Sequence, residues 1–453
     1  MTDTAENSTK DNAASSSENA AADDGLPIIG DSPEGTDLWE RVPYNADDYG
    51  DVEDWTTDFD QANPEYNPNA PEIWKQLRDG GCPVAHSDRY GGMWVPVTHE
   101  TVHDVAYDTD NFTSRSVVVS TLRPGDLSLP APIGGAPPIT SDPPFHNTAR
   151  RILLPPFAPK KIAALEPQVR ELCNQLLDDM GDLEPGQSVI DAAVQYAQHI
   201  PIRVIGEMLG FPSEDEDLFR EFIHNTLERV NEDPRERQVD EEKRLDLYIQ
   251  RQVEEHIENP RDDLTSYLID LEIDGEKLHP DHVTGTIILL LIAGTDTTWS
   301  AIGSSLWHLA QNPDDITRLR EDPEVMTFAV EEFLRAYAPV TMSRLVAKDH
   351  DFHGCPMKKD DWVLLPFPAA NRDPKEYEDA DRFIIDREQN RHAAFGLGIH
   401  RCLGSNLARL ELQVAIEEFV KRFPAFELAG DTRWSVGMIR GPREMPVRIL
   451  ETA

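Results

Sequence analysis

Apolar residues along most of the chain recur at three- and four-residue intervals, the spacing that lines one face of a helix. The pattern predicts helices at about residues 71–79, 99–106, 159–181, 188–208, 215–231, 238–257, 262–271, 281–310, 313–319, 323–337 and 405–421. Shorter runs near about 93–96, 345–348, 362–366 and 445–450 read as strands. Asp274-Gly275 marks a turn, and Pro280 is placed to open the longest helix, which at 1.5 Å per residue runs about 45 Å. Midway along it, Ala293-Gly294-Thr295-Asp296-Thr297-Thr298 is small and polar where the flanks are apolar. Thr297 can turn its hydroxyl back to a carbonyl one turn earlier. Gly294 is expected to remove a side chain that would collide with a ligand.

Composition bounds the picture. With 453 residues, 39% of them hydrophobic, the chain has material for a sizeable core, and length alone suggests two or three domains. The longest apolar stretch, Ile287 to Ala293, is too short to span a membrane. Met1 to Glu6 has neither the basic start nor the apolar core of a signal peptide. A cytoplasmic protein with no membrane partner is expected. Cys82, Cys173, Cys355 and Cys402 form no paired pattern, which fits a reducing compartment. The net charge of −42 disfavours nucleic acid and anionic membrane. Residues 1–36, rich in Ser, Ala, Asn, Asp and Glu, read as a disordered acidic tail, leaving 37–453 as the folded domain. The remaining acidity suits either adaptation to salt or plain solubilisation.

The chemistry concentrates at Cys402, in Phe395-Gly396-Leu397-Gly398-Ile399-His400-Arg401-Cys402-Leu403-Gly404. Gly396, Gly398 and Gly404 let the backbone take positive φ or come close to a flat ligand. The helix predicted from residue 405 puts its free N–H groups beside the sulfur, favouring thiolate. A buried structural thiol, or a zinc site with His400, are the competing readings, but the cysteines are far apart and no C-x-x-C occurs.

These residues resemble the heme-binding signature of the cytochrome P450 superfamily, F-x-x-G-x-x-x-C-x-G. Glu332 to Arg335 is similar to the family's E-x-x-R helix, and Asp381 to Arg387 to the segment that supplies its second arginine. Ala293 to Thr297 resembles the oxygen-binding groove, A/G-G-x-D/E-T. His146 and Arg150, four apart on one helical face, resemble the H-x-x-x-R helix, and Arg344 the arginine on the strand beside the heme. The resemblance covers about residues 75–450.

It implies one mainly α domain with a minor β region, built around heme b (iron protoporphyrin IX). Cys402 would be the iron ligand. His146, Arg150, Arg344, Phe395, His400, Cys402 and Gly404 would hold the cofactor, and Asp296 and Thr297 would relay protons. Glu332, Arg335 and Arg387 would form a structural ion-pair network. The implied activity is a heme-thiolate monooxygenase, inserting one oxygen atom of O2 into a small apolar organic substrate. The pocket would draw on the loop from Ser116 to Thr140 (with Leu127, Leu129 and Ile133), the segment near Phe222, and Met342 and Met438. No flavin, nicotinamide or iron–sulfur motif follows the heme loop, so electrons are expected from a separate ferredoxin and an NAD(P)H-dependent reductase. Arg151, Lys160, Lys161, Arg401 and Arg409 would form its basic docking surface. The alternatives are a peroxide-driven or rearranging heme-thiolate enzyme, and a non-catalytic heme-based ligand sensor.

Overall fold

A computed structural model describes residues 39–41, 50–119, 122–124, 136–223, 227, 245–273 and 275–453. The expected acidic tail, Leu127, Leu129 and Ile133 of the loop, and the continuations of the helices expected at 215–231 and 238–257 fall outside these residues. The described chain is mainly helical with a smaller β portion, as the class implied.

The central helix, Pro280–Leu309, begins with Pro at its first position and runs unbroken for 30 residues. It is long and apolar enough to cross a membrane by length and composition, yet 78% of its most apolar 18 residues are buried by the protein itself. Helices His199–Leu209 and Ser405–Arg422 pack along it, and the largest apolar cluster gathers where the three meet.

Five short strands form a sheet in the order Val84–Ser87, Met93–Pro96, Trp362–Pro366, Thr341–Val346, Phe112–Thr113. Trp362–Pro366 runs parallel to Met93–Pro96 and antiparallel to Thr341–Val346, with Val363 opposite Arg344. A three-stranded sheet joins Ala425–Leu428, Pro446–Glu451 and Val189–Asp191.

That last strand corrects the helix expected over 188–208. Val189–Asp191 pairs with Pro446–Arg448, a π-turn follows at Ala193–Ala197, and the α-helix starts only at His199. The helix expected over 159–181 is two, Pro159–Ala163 and Glu166–Asp179. The first helix starts at Tyr66, upstream of Pro71.

Candidate active site

The loop before helix Ser405–Arg422 closes on itself through the Cys402 N–H, which donates to the Phe395 carbonyl at 2.7 Å. Gly396 and Gly398 take φ of +70° and +67°, as the pattern required, whereas Gly404 has an ordinary φ of −80°. Gly398 is needed for a second reason. A Cβ there would sit 2.1 Å from the Ala106 carbonyl oxygen, so helix His99–Tyr107 presses directly on the loop. Gly404 serves instead through its backbone N–H, which hydrogen-bonds the Cys402 sulfur, and a Cβ at that position would meet open space.

Cys402 keeps accessible surface even though the surrounding protein desolvates its thiol. Burial raises its pKa, opposed by the Gly404 N–H and by the charges of Arg150, Arg401 and Arg409. The Arg409 guanidinium lies 4.4 Å over the Phe395 ring.

Four basic side chains converge beside this loop from separate elements. His146 and Arg150 come from helix Phe145–Leu153, Arg344 from strand Thr341–Val346 and His400 from the loop. The rings of His146 and His400 are 4.4 Å apart, and Arg150 donates to the Arg401 carbonyl. Burial, with Arg344, His146 and Arg150 close by, pushes the His400 pKa down to about 2, so its ring is neutral, and its Nε2 bonds the Ser114 hydroxyl at 2.8 Å. Arg344 is buried, which lowers its pKa to about 10, and it donates to the Ser343 carbonyl at 2.7 Å. Asp142, whose charge reaches Arg344, is itself held by the Thr113 hydroxyl and by the Ser114 N–H at 2.8 Å. His146 Nε2 is buried without a hydrogen-bond partner.

An accessible sulfur, two guanidinium groups gathered around His400 of its loop and an orphaned imidazole nitrogen fit a planar iron macrocycle carrying two carboxylates. Ser114, which ties His400 down, has no motif around it in the sequence.

On the central helix, Leu289, Ala293 and Thr297, at four-residue spacing, have accessible surface, as does Gly294, and form one open face among otherwise buried neighbours. The Thr297 hydroxyl donates to the Ala293 carbonyl at 2.9 Å, as the sequence suggested. Gly294 acts differently from expectation. A Cβ there would lie 3.0 Å from Ile205, so its smallness seats helix His199–Leu209 against the central helix.

Asp296 is fully buried and paired with Arg443, its Oδ1 2.8 Å from Nη2. Arg443 also donates to the Ser300 hydroxyl at 3.3 Å and lies 4.4 Å over the Trp299 ring. It comes from strand Pro442–Glu444, which can reach the helix because Gly441 lacks a side chain: a Cβ there would fall 2.3 Å from Ser300 Cβ. Nothing in the local sequence marks Arg443 as the partner of Asp296.

Glu332 binds Arg335 at 2.7 and 2.8 Å and Arg387 at 3.1 Å, while Arg335 also donates to the carbonyls of Asn371, Ala380 and Arg382. Asn371 in turn accepts from the Ala393 N–H at 2.6 Å, linking the network to the start of the cysteine loop. Of the five basic residues assigned to docking, Arg409 is engaged by Glu331 at 2.6 and 2.9 Å. Arg151, Lys160, Lys161 and Arg401 are exposed.

The family model described as cytochrome P450 matches residues 95–435. The chain is a cytochrome P450. The 6-deoxyerythronolide B hydroxylase of Saccharopolyspora erythraea is 36% identical over 318 residues, covering 68% of this chain and 77% of that protein. Cytochrome P450 107B1 of the same organism is 32% identical over 370 residues, 78% of this chain and 89% of the relative. Among solved structures, the bacillaene polyketide synthase cytochrome P450 PksS of Bacillus subtilis superposes with a TM-score of 0.76 at 28% identity, covering 87% of this chain and all of that one. As a P450 the chain is an oxidoreductase of the heme-thiolate class, and heme b is its cofactor.

Proposed function

We propose that this P450 hydroxylates an apolar, polyketide-type small molecule, with electrons from a separate ferredoxin and NAD(P)H-dependent reductase, and that it acts in the cytoplasm. The observation that carries the site assignment is the Cys402 sulfur held by the Gly404 N–H and facing the charge of Arg150, with Arg344 buried close to His400 of the same loop. Bound there, heme supplies the activation of dioxygen. Cys402 would hold the iron, the Gly404 N–H would temper the thiolate, and Arg150, Arg344, His146 and His400 would receive the propionates.

Thr297 presents its oxygen on the open face of the central helix, where it can hold a water and pass on a proton. Asp296, one residue away and held by Arg443, would feed that hydroxyl. The acid–alcohol pair supports a dioxygen-dependent reaction over a peroxide-driven or rearranging one, because only the former needs protons delivered from the protein. The folded domain would run from about residue 37 to the end of the sequence, preceded by the acidic tail.

The substrate class rests on the relatives, two of which carry the names 6-deoxyerythronolide B hydroxylase and mycinamicin IV hydroxylase/epoxidase. Apolar residues on or bonded to the strand that carries Arg344, namely Val340, Met342, Met438 and Ile439, support the same reading. The test is a spectral-shift screen of polyketides against the ferric holoprotein, followed by turnover with ferredoxin, reductase and labelled dioxygen. The expected result is a low- to high-spin change and a product carrying one labelled oxygen. Spectral binding without NAD(P)H consumption or product would instead identify a ligand sensor.

A further inference from the structure

We propose that Cys82 and Cys355 are a redox-responsive pair that closes into a disulfide when the protein meets hydrogen peroxide. The sequence offers no hint of pairing, since most of the chain separates the two. The fold brings them together: Val84, two residues on from Cys82, belongs to the apolar cluster against which Cys355 packs, and the two thiols are close enough to interact. Cys82 lies two residues before the edge strand Val84–Ser87, and its thiol donates to the Val84 carbonyl at 3.0 Å. Cys355 opens strand Cys355–Met357, directly opposite Phe352 of the neighbouring strand. Val84, Phe352 and Met357 belong to one apolar cluster, and Cys355 packs against it. Cys355 is thus held in a paired strand and Cys82 is tethered to the strand that follows it, so joining the sulfurs requires limited further ordering.

The environments of the four cysteines single out this pair. Cys82 is exposed and Cys355 half-buried, so an oxidant in solution reaches Cys82 first. Cys173 is shut away, its pKa raised to about 12 by burial, and Cys402 is assigned to iron. In the first step peroxide oxidises the Cys82 sulfur to a sulfenic acid and leaves as water. In the second, the Cys355 sulfur attacks it, the S–O bond breaks, and a second water departs with the thiol proton. The balance is two thiols and one peroxide to one disulfide and two waters.

The bond would tie the first edge of the five-stranded sheet to the hairpin His350–Met357. Between them, in the same cluster, lie Val102 and Val105 of helix His99–Tyr107, the helix whose end presses on Gly398. Oxidation would thus brace the region that supports the cysteine loop.

The proposal is independent of the substrate and of the electron donor. Full-length holoprotein is reduced, desalted, treated with a small excess of hydrogen peroxide, alkylated and digested without reductant. The expected result is a cross-linked peptide pair joining Cys82 to Cys355, lighter by two hydrogens than its parts and split by dithiothreitol. Its formation should raise the unfolding midpoint by about 3–6 °C. Neither should occur in Cys82→Ser or in Cys355→Ser, while the heme spectrum stays unchanged in all three proteins. Cys82 carried on to sulfinic acid with Cys355 still alkylated, or both thiols alkylated after excess peroxide, would overturn the pairing.

Discussion

At the residue scale, what the sequence revealed were positions whose requirement is local. Gly396 and Gly398 precede one sulfur within a single loop, and their positive φ values follow from the loop's own closure. His146 and Arg150 share a helical face and so could be paired by spacing alone. What stayed hidden were residues defined by what lies across from them. Gly294 looked like room for a ligand because its neighbour Ile205 is far off in the sequence. Glu411 is similar: it sits on helix Ser405–Arg422 at an unremarkable position, yet it is buried, with Oε2 lacking a hydrogen-bond partner. Burial pushes its carboxyl well above the ordinary range, so it is held protonated in the folded state. A folded pKa above the unfolded value means that the native state binds the extra proton. Its contribution is fully present below the unfolded value of about 4.3 and is lost as pH rises toward the folded value. Glu411→Gln, which keeps the shape and cannot ionise, should match the wild type in unfolding midpoint near pH 4 and exceed it by a growing margin toward neutrality. A constant difference across that range would mean that the carboxyl does not titrate as its burial requires.

At the element scale, periodicity located helices well where the segment's own apolar spacing decides, as in His99–Tyr107 and Ser405–Arg422, and failed where a distant partner decides. Residues 189–191 carry a helix-compatible pattern, but pairing with Pro446–Arg448 holds them extended. The same C-terminal region supplies Arg443 to Asp296, a contact made when strand Pro442–Glu444 docks on the central helix through Gly441 and through Gly303, where a Cβ would lie 3.3 Å from Pro442. Removing the guanidinium should therefore act twice. Arg443→Met leaves a buried carboxylate uncompensated, costing about 3–5 kcal/mol of stability. It should also misplace the acid, so that product formed per NAD(P)H falls several-fold and hydrogen peroxide rises, as it should for Thr297→Ala. The double variant Asp296→Asn with Arg443→Met separates the two effects. Stability should return with the charge gone, whereas coupling should not, because the acid is absent. Full recovery of coupling would show that Asp296 carries no proton to the site.

At the scale of the whole molecule, the net charge of −42 sets the terms on which any electron donor arrives. An acidic ferredoxin is repelled at long range, and exposed Arg151, Lys160, Lys161 and Arg401 offer a local exception. Arg409 no longer belongs with them, since Glu331 occupies its guanidinium and that carboxyl, bound by Arg409 and His392, is held down at about 2 despite its burial. The two ranges respond differently to salt. With a screening length of about 10 Å at 0.1 M, added salt first weakens the diffuse repulsion, and only at higher concentration does it weaken contacts a few ångströms long. Ferredoxin-supported turnover should therefore rise and then fall as salt increases. Reversing Lys160 and Lys161 together to Glu should lower the rate on the order of tenfold at the optimum and flatten the descending limb, with substrate affinity by spectral shift unchanged. Arg409→Glu would break the pair with Glu331 and is expected to lower heme retention and thermal stability as well, a structural failure distinguishable from slower association. A rate that declines steadily from the lowest salt would mean that attraction dominates at every distance, and the donor would then have to be a basic protein drawn by the acidic surface as a whole.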